Sequence, residues 1–228
     1  MKFYISTPEL DQQIAEIKRK MRLSMNGIVS DQMKKNGIQY KINFGVAIPR
    51  IREISKEYTP NHDLAQRLWM LQIRETMILA SLLEPAEKFS PTDAKKWAES
   101  FNQIEIIEQT CMNLLAKLDF APQLMMEWIQ SDNQWLKIAG YILGARIFSK
   151  IPASVAVEVT DIALGEAKSD NLQMYRSIAI CLSRFCRIDK NTASYILKAT
   201  EGLEDGLSSG ERYISNEVKQ EIFFLDIL

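Results

Sequence analysis

Apolar residues recur along this chain at spacings of three and four almost throughout, the period of amphipathic helices. No segment shows clean alternation of apolar and polar positions, so strands are not expected. The pattern and its punctuation divide the chain into thirteen helices. The first runs from Pro8 to about Met25, with Thr7 as N-cap and Pro8 at the first helical position. A short second covers about Ser30 to Lys35 and stops at Asn36-Gly37. The third follows a loop and carries Pro49 in its first turn. Asn61 or Asp63 opens the fourth, with Leu64, Leu68 and Leu71 on one face. The fifth spans about Ile73 to Leu83 and halts before Pro85, and Ser90-Pro91 opens the sixth. The next are expected at about Gln103–Leu118, Pro122–Gln130, Asp132–Phe148 and Pro152–Ala167. The last three are expected at Asn171–Arg187, Lys190–Leu203 and from Glu211 to the C-terminus.

Two of these helices are related. Ser131-Asp132-Asn133 recurs as Ser169-Asp170-Asn171, an offset of 38 residues, and each tripeptide precedes an amphipathic stretch. Side-chain oxygens at such positions cap the free amides of a helix start. Units of two helices and roughly 40 residues have the length of HEAT or armadillo repeats. The expected fold class is therefore all-α, a HEAT-like helical repeat solenoid of antiparallel helix pairs with a concave groove. One domain over residues 1–228 is expected, with the terminal helices, about 1–36 and 211–228, as caps.

Composition narrows the chemistry. The chain is 46% hydrophobic and 25% charged, with only nine glycines and seven prolines, which fits a globular helical protein. It has one histidine, His62, read as a solvated or capping residue at a helix start. That excludes histidine-rich metal sites, so no metal and no cofactor are expected. Cys111, Cys181 and Cys186 have no metal or redox spacing and read as buried free thiols of a reducing compartment. No apolar run reaches the roughly 18 residues of a membrane span. The first ten residues contain no apolar leader, so a cytoplasmic location is expected. Trp69, Trp128 and Trp135 are read as core anchors, and Gly140 and Gly144 as sites of close helix approach.

The net charge of −1 hides an uneven distribution. Residues 1–60 hold 11 basic and 6 acidic side chains, whereas residues 201–228 hold 2 and 7. Lys34, Lys35, Lys41, Arg50 and Arg52 make the N-terminal end basic. Arg74, Lys137, Arg146, Arg176 and Arg184 lie on the helices expected to line a concave face. If they share it, they form a cationic groove for the phosphates of double-stranded DNA.

Four blocks resemble the DNA alkylation repair enzyme family, the AlkD-like HEAT-repeat DNA glycosylases. They are FGVAIPRIREISKEY (Phe44–Tyr58), LAQRLWMLQIRETMILASLL (Leu64–Leu83), FNQIEIIEQTCMNLL (Phe101–Leu115) and DNQWLKIAGYIL (Asp132–Leu143). The resemblance covers about residues 35–190. It implies a DNA-binding protein whose relatives hydrolyse the N-glycosidic bond of cationic alkylated bases. The carboxylate that such chemistry uses near the developing sugar cation falls on Glu108. The family's two tryptophans fall on Ile104 and Ile180, and its arginine on Ile138. All three isoleucines are expected to pack as plain hydrophobes. The resemblance with these substitutions implies DNA binding with weak or absent glycosylase activity. The alternatives are an active alkylpurine glycosylase, with Lys137 or Tyr141 taking over the missing roles, or a HEAT scaffold for a protein partner.

Overall fold

The computed structural model describes residues 7–226. The leader expectation for the first ten residues therefore lies mostly outside the described part. Thirteen α-helices and three short 3-10 turns account for its regular structure. No strand occurs among the described residues; one isolated bridge joins Ile42 to Ile73. The chain forms two compact units, residues 1–118 and 119–228.

Unit 1 contains α1 (Pro8–Leu23), α2 (Gly27–Lys35), α3 (Ile48–Ser55), α4 (His62–Met70), α5 (Arg74–Leu83), α6 (Pro91–Ala98) and α7 (Ile104–Asn113). Thr7 Oγ1 accepts from Leu10 N to open α1, and Ser90 with Asp93 forms a capping box on α6. The expected second helix begins earlier than Ser30, because Asn26 accepts from Val29 N and caps it. The expected seventh helix ends at Asn113 and continues as a 3-10 turn over Leu115–Lys117. Its core centres on Trp69 and Trp97, stacked with ring centroids 4.0 Å apart, with Phe89 and Phe101 edge-on.

A polar chain runs through this aromatic core. Trp97 Nε1 donates to Gln66 Oε1 at 3.0 Å, and Gln66 Nε2 donates to Glu84 Oε2 at 3.0 Å. Glu84 Oε1 lies 2.6 Å from His62 Nδ1. His62 is therefore not a solvated cap: it is half-buried, and Asn61 is the cap. Burial pushes the Glu84 carboxyl up to about 7, opposed by His62 and Gln66 and reinforced by Asp93. A carboxyl raised in the folded state stabilises that state fully below its ordinary value. The contribution is lost as pH rises through about 7. Denaturant melts should therefore show stability falling between pH 5 and pH 8, and Glu84→Gln should flatten the fall. An unchanged slope in that variant would overturn the assignment.

Unit 2 contains α8 (Ala121–Ile129), α9 (Gln134–Ile147), α10 (Ala153–Glu166), α11 (Leu172–Phe185), α12 (Lys190–Glu201) and α13 (Ser209–Leu225). Here α8, α10 and α12 pack in one row and α9, α11 and α13 in another. Short connections make successive helices antiparallel. The 38-residue offset holds in atomic detail: α9 and α11 are both 14 residues long and start at equivalent positions. Asn133 Oδ1 accepts from Trp135 N and Leu136 N, and Asn171 Oδ1 accepts from Gln173 N and Met174 N. Ser131 and Ser169 accept from the amides of those asparagines. Gly140 lets α8 approach closely, because a Cβ there would lie 2.8 Å from Ile129 N. Trp128 is a core anchor, but Trp135 is only half-buried in the first turn of α9. All three cysteines are buried and free.

Candidate nucleic-acid interface

In unit 1 the stretch from residue 18 to residue 52 holds nine Lys and Arg residues and a single acid, Asp31. Two of these cations are neutralised. Lys20 pairs with Glu16 and Glu57, and Arg50 pairs with Glu53 at 2.9 Å. Arg19, Arg22, Lys34, Lys35, Lys41 and Arg52 are exposed and make no ion pair among the described residues. Lys34 also lines a polar cleft of about 320 Å³ with Ser30, Tyr40 and Asn43.

In unit 2, Arg146 on α9 and Arg184 on α11 sit at the same position of two helices that pack side by side. Adjacent helix axes are about 8–10 Å apart, which sets the spacing of the two cations. Both are exposed and without an ion pair among the described residues. Arg176, two turns before Arg184, is exposed and lies over the Tyr213 ring at 6.0 Å. Lys137 is half-buried and paired with Glu166.

Arg74 is not a surface cation. It is 4% exposed, at the start of α5. Its Nε and Nη2 donate to both oxygens of Glu105 at 2.7 and 2.6 Å. Its Nη1 donates to Val46 O at 2.9 Å and to Glu75 Oε1 at 3.0 Å. Glu105 also accepts from Tyr40 Oη at 2.9 Å, and Glu75 accepts from the amides of Phe44 and Val46. With four of its five N–H donors engaged inside the protein and only 4% of the residue exposed, Arg74 is not placed to grip a phosphate. The expected phosphate contact is thereby corrected to a structural one.

The positions singled out for chemistry divide by exposure. On α7 of unit 1, Glu108 is exposed and Ile104, one turn earlier, is half-buried. On α9 of unit 2, Ile138 is fully buried. On α11, Ile180 is 47% exposed and is not a core residue, contrary to the sequence expectation. The reason is its neighbours: Ile180 falls on the stripe Leu172, Arg176, Ser183, Arg184, which faces away from the α9 contact. Ile138 and Ile180 therefore share no surface. Tyr141 is fully buried, so it is no substitute donor for a ligand. Among the described residues no group of three His, Cys, Asp or Glu side chains could hold a metal ion. No described helix is long and apolar enough to cross a membrane.

Sequence periodicity missed two exposed apolar features. Leu23, Met25 and Ile28 stand out from the turn between α1 and α2. Phe223 and Phe224 project from the end of α13, beside a cleft of about 690 Å³ that also touches Ile180, Arg184, Glu217 and Glu221. The available signal was composition: isolated large apolar residues set among charges and breakers.

The sequence matches the family described as DNA alkylation repair enzyme over residues 17–192. No curated protein matches it. A solved structure is similar over 90% of this chain and 94% of its own, with TM-score 0.76 and 13% identity. It is described as a new family of proteins related to the HEAT-like repeat DNA glycosylases with affinity for branched DNA structures. At that identity the likeness shows the fold, which is all-helical and similar to that of the HEAT-like repeat DNA glycosylases.

Proposed function

We infer the function from this premise: the chain belongs to the DNA alkylation repair enzyme family. It binds double-stranded DNA through the phosphate backbone and has weak or absent N-glycosylase activity. The observation that carries this reading is the set of exposed, unneutralised cations in each unit. In unit 1 these are Lys34, Lys35, Lys41 and their neighbours; in unit 2 they are Arg146, Arg176 and Arg184. Phosphate contacts of this kind fix the position and orientation of a duplex without reading its sequence. In unit 2 these cations all lie on α9 and α11, two neighbouring helices of one packed row. The structural neighbour is described as having affinity for branched DNA structures, and we extend that affinity to this chain.

The test is binding to linear and branched DNA over a range of salt concentrations. Each phosphate neutralised contributes a slope of about −0.9 to log K against log salt. Replacing Arg146, Arg176 and Arg184 by alanine should flatten the slope by about two to three units. Salt-independent binding, or none at low salt, would overturn the reading.

One observation favours a second reading, a protein partner for unit 2. Phe223 and Phe224 border the α11–α13 cleft beside the exposed Ile180, which suits an apolar partner segment. Loss of a co-purifying protein on replacing both phenylalanines by serine, with DNA binding unchanged, would support it.

A further inference from the structure

We propose that the turn between α1 and α2 is an apolar wedge that enters an opened base step, at a branch point of DNA. This rests on the DNA-binding reading above and deepens it.

The turn presents three large apolar side chains to solvent: Leu23 is 74% exposed, Met25 60% and Ile28 81%. The helix that carries Ile28, α2, buries none of its residues. A surface helix with its apolar residues outward has no reason to hold them there for the fold. The turn is nonetheless held firmly. Asn26 N donates to Phe44 O at 2.9 Å, Ser30 Oγ donates to Asn43 O at 3.0 Å, and Arg50 Nε donates to Ser24 Oγ at 3.3 Å. Gly45, at φ +69°, lies so close beneath that a Cβ there would stand 2.1 Å from Asn26 O. The apolar tip is thus rigid and pre-positioned.

Its surroundings decide the occupant. Arg22 lies in the last turn of α1, directly before Leu23, with Arg19 one turn earlier; Arg50, paired with Glu53, also reaches the turn. Lys34 and Lys35 close α2, about 10 Å beyond Ile28 at 1.5 Å per residue. Asp31 is the one acid of α2. A rigid apolar point ringed by cations is complementary to a stack of bases flanked by phosphates. Proteins that kink DNA insert Leu, Ile or Met side chains between base steps while Lys and Arg hold the backbone. Insertion costs unstacking, and that cost is smallest where stacking is already broken, as at a branch. The wedge therefore supplies preference for branched over linear DNA without any contact to base edges.

The experiment compares the wild-type protein with the Leu23→Ser, Met25→Ser, Ile28→Ser triple variant. The probes are a three-way junction carrying 2-aminopurine at the branch and a linear duplex of matching sequence. All three side chains are exposed, so circular dichroism and melting should match between the proteins. The wild type should bind the junction about ten-fold tighter than the duplex and raise 2-aminopurine fluorescence. The variant should bind both DNAs at the duplex level, without the fluorescence rise and with an unchanged salt slope. A variant that keeps the junction preference overturns the wedge and leaves DNA binding standing. A wild type that binds neither DNA overturns both. Capture of the wild type but not the variant by phosphatidylserine-containing vesicles, with equal DNA binding, assigns the tip to a lipid surface and overturns the wedge.

Discussion

Arg74→Ala should lower the unfolding free energy of the chain by about 3–5 kcal/mol, the usual cost of removing one partner from a buried ion pair. Arg74 is the hub of a cluster that joins the start of α5 to Glu105 on α7 and to the loop before α3. Its removal leaves Glu75, fully buried, and Glu105 without their shared cation. Glu75 in turn orders residues 44–46 through their amides, so the loop is expected to loosen as well. Arg74→Lys should recover little, because an ammonium cannot make the planar two-bond grip on Glu105. Urea unfolding measures the loss. A cycle with Glu105→Ala should show coupling above about 1 kcal/mol. DNA binding by Arg74→Ala, measured well below its unfolding transition, should keep the wild-type salt slope. A slope flattened by a full unit would mean that Arg74 does touch phosphate.

Release of alkylated purines from methylated duplex DNA should be slow or undetectable, orders of magnitude below that of a glycosylase with its full set of groups. Ile104, Ile138 and Ile180 stand where the resemblance puts tryptophan, arginine and tryptophan. A lost cation-π face or charged hydrogen bond costs roughly 1–3 kcal/mol. Three such losses, even short of additive, slow the reaction greatly at about 1.4 kcal/mol per tenfold. Burial sharpens the case for Ile138: a residue with no exposed surface leaves no opening through which that position could reach a phosphate. Glu108 is exposed, and the resemblance gives it the role of stabilising positive charge on a sugar. Any trace activity should therefore vanish in Glu108→Gln, with DNA binding retained. Chromatography of free bases checks both statements. Robust excision by the wild type would show the inferred substitutions to be compensated elsewhere.

What could be read from the sequence was local. Thr7-Pro8, Ser90-Pro91 and the two Ser-Asp-Asn caps act within four residues of themselves, and each opens a helix where expected. The all-helical class follows from the same short-range periodicity. What escaped depended on distance along the chain. Arg74 meets Glu105 across 31 residues and His62 meets Glu84 across 22, so nothing near Arg74 or His62 announces burial. Ile180 shows a different limit. It lies at the repeat offset from Ile142, which is buried, yet it is exposed. A repeat transmits backbone geometry, while burial depends on what covers each copy. The cationic stretch around α2 was visible as composition, but its apolar tip was not, because hydrophobic residues are read by default as core.

The identical caps and lengths of α9 and α11 make 38 residues a quantum of chain length. Inserting one such segment would add a helix of the same length with the same asparagine cap, packed against its nearest neighbours, on which stability in stacked repeats depends. Each added copy would also carry another cation at the position of Arg146 and Arg184, one helix spacing further along, about 10 Å. The row of exposed cations would thus lengthen in whole steps.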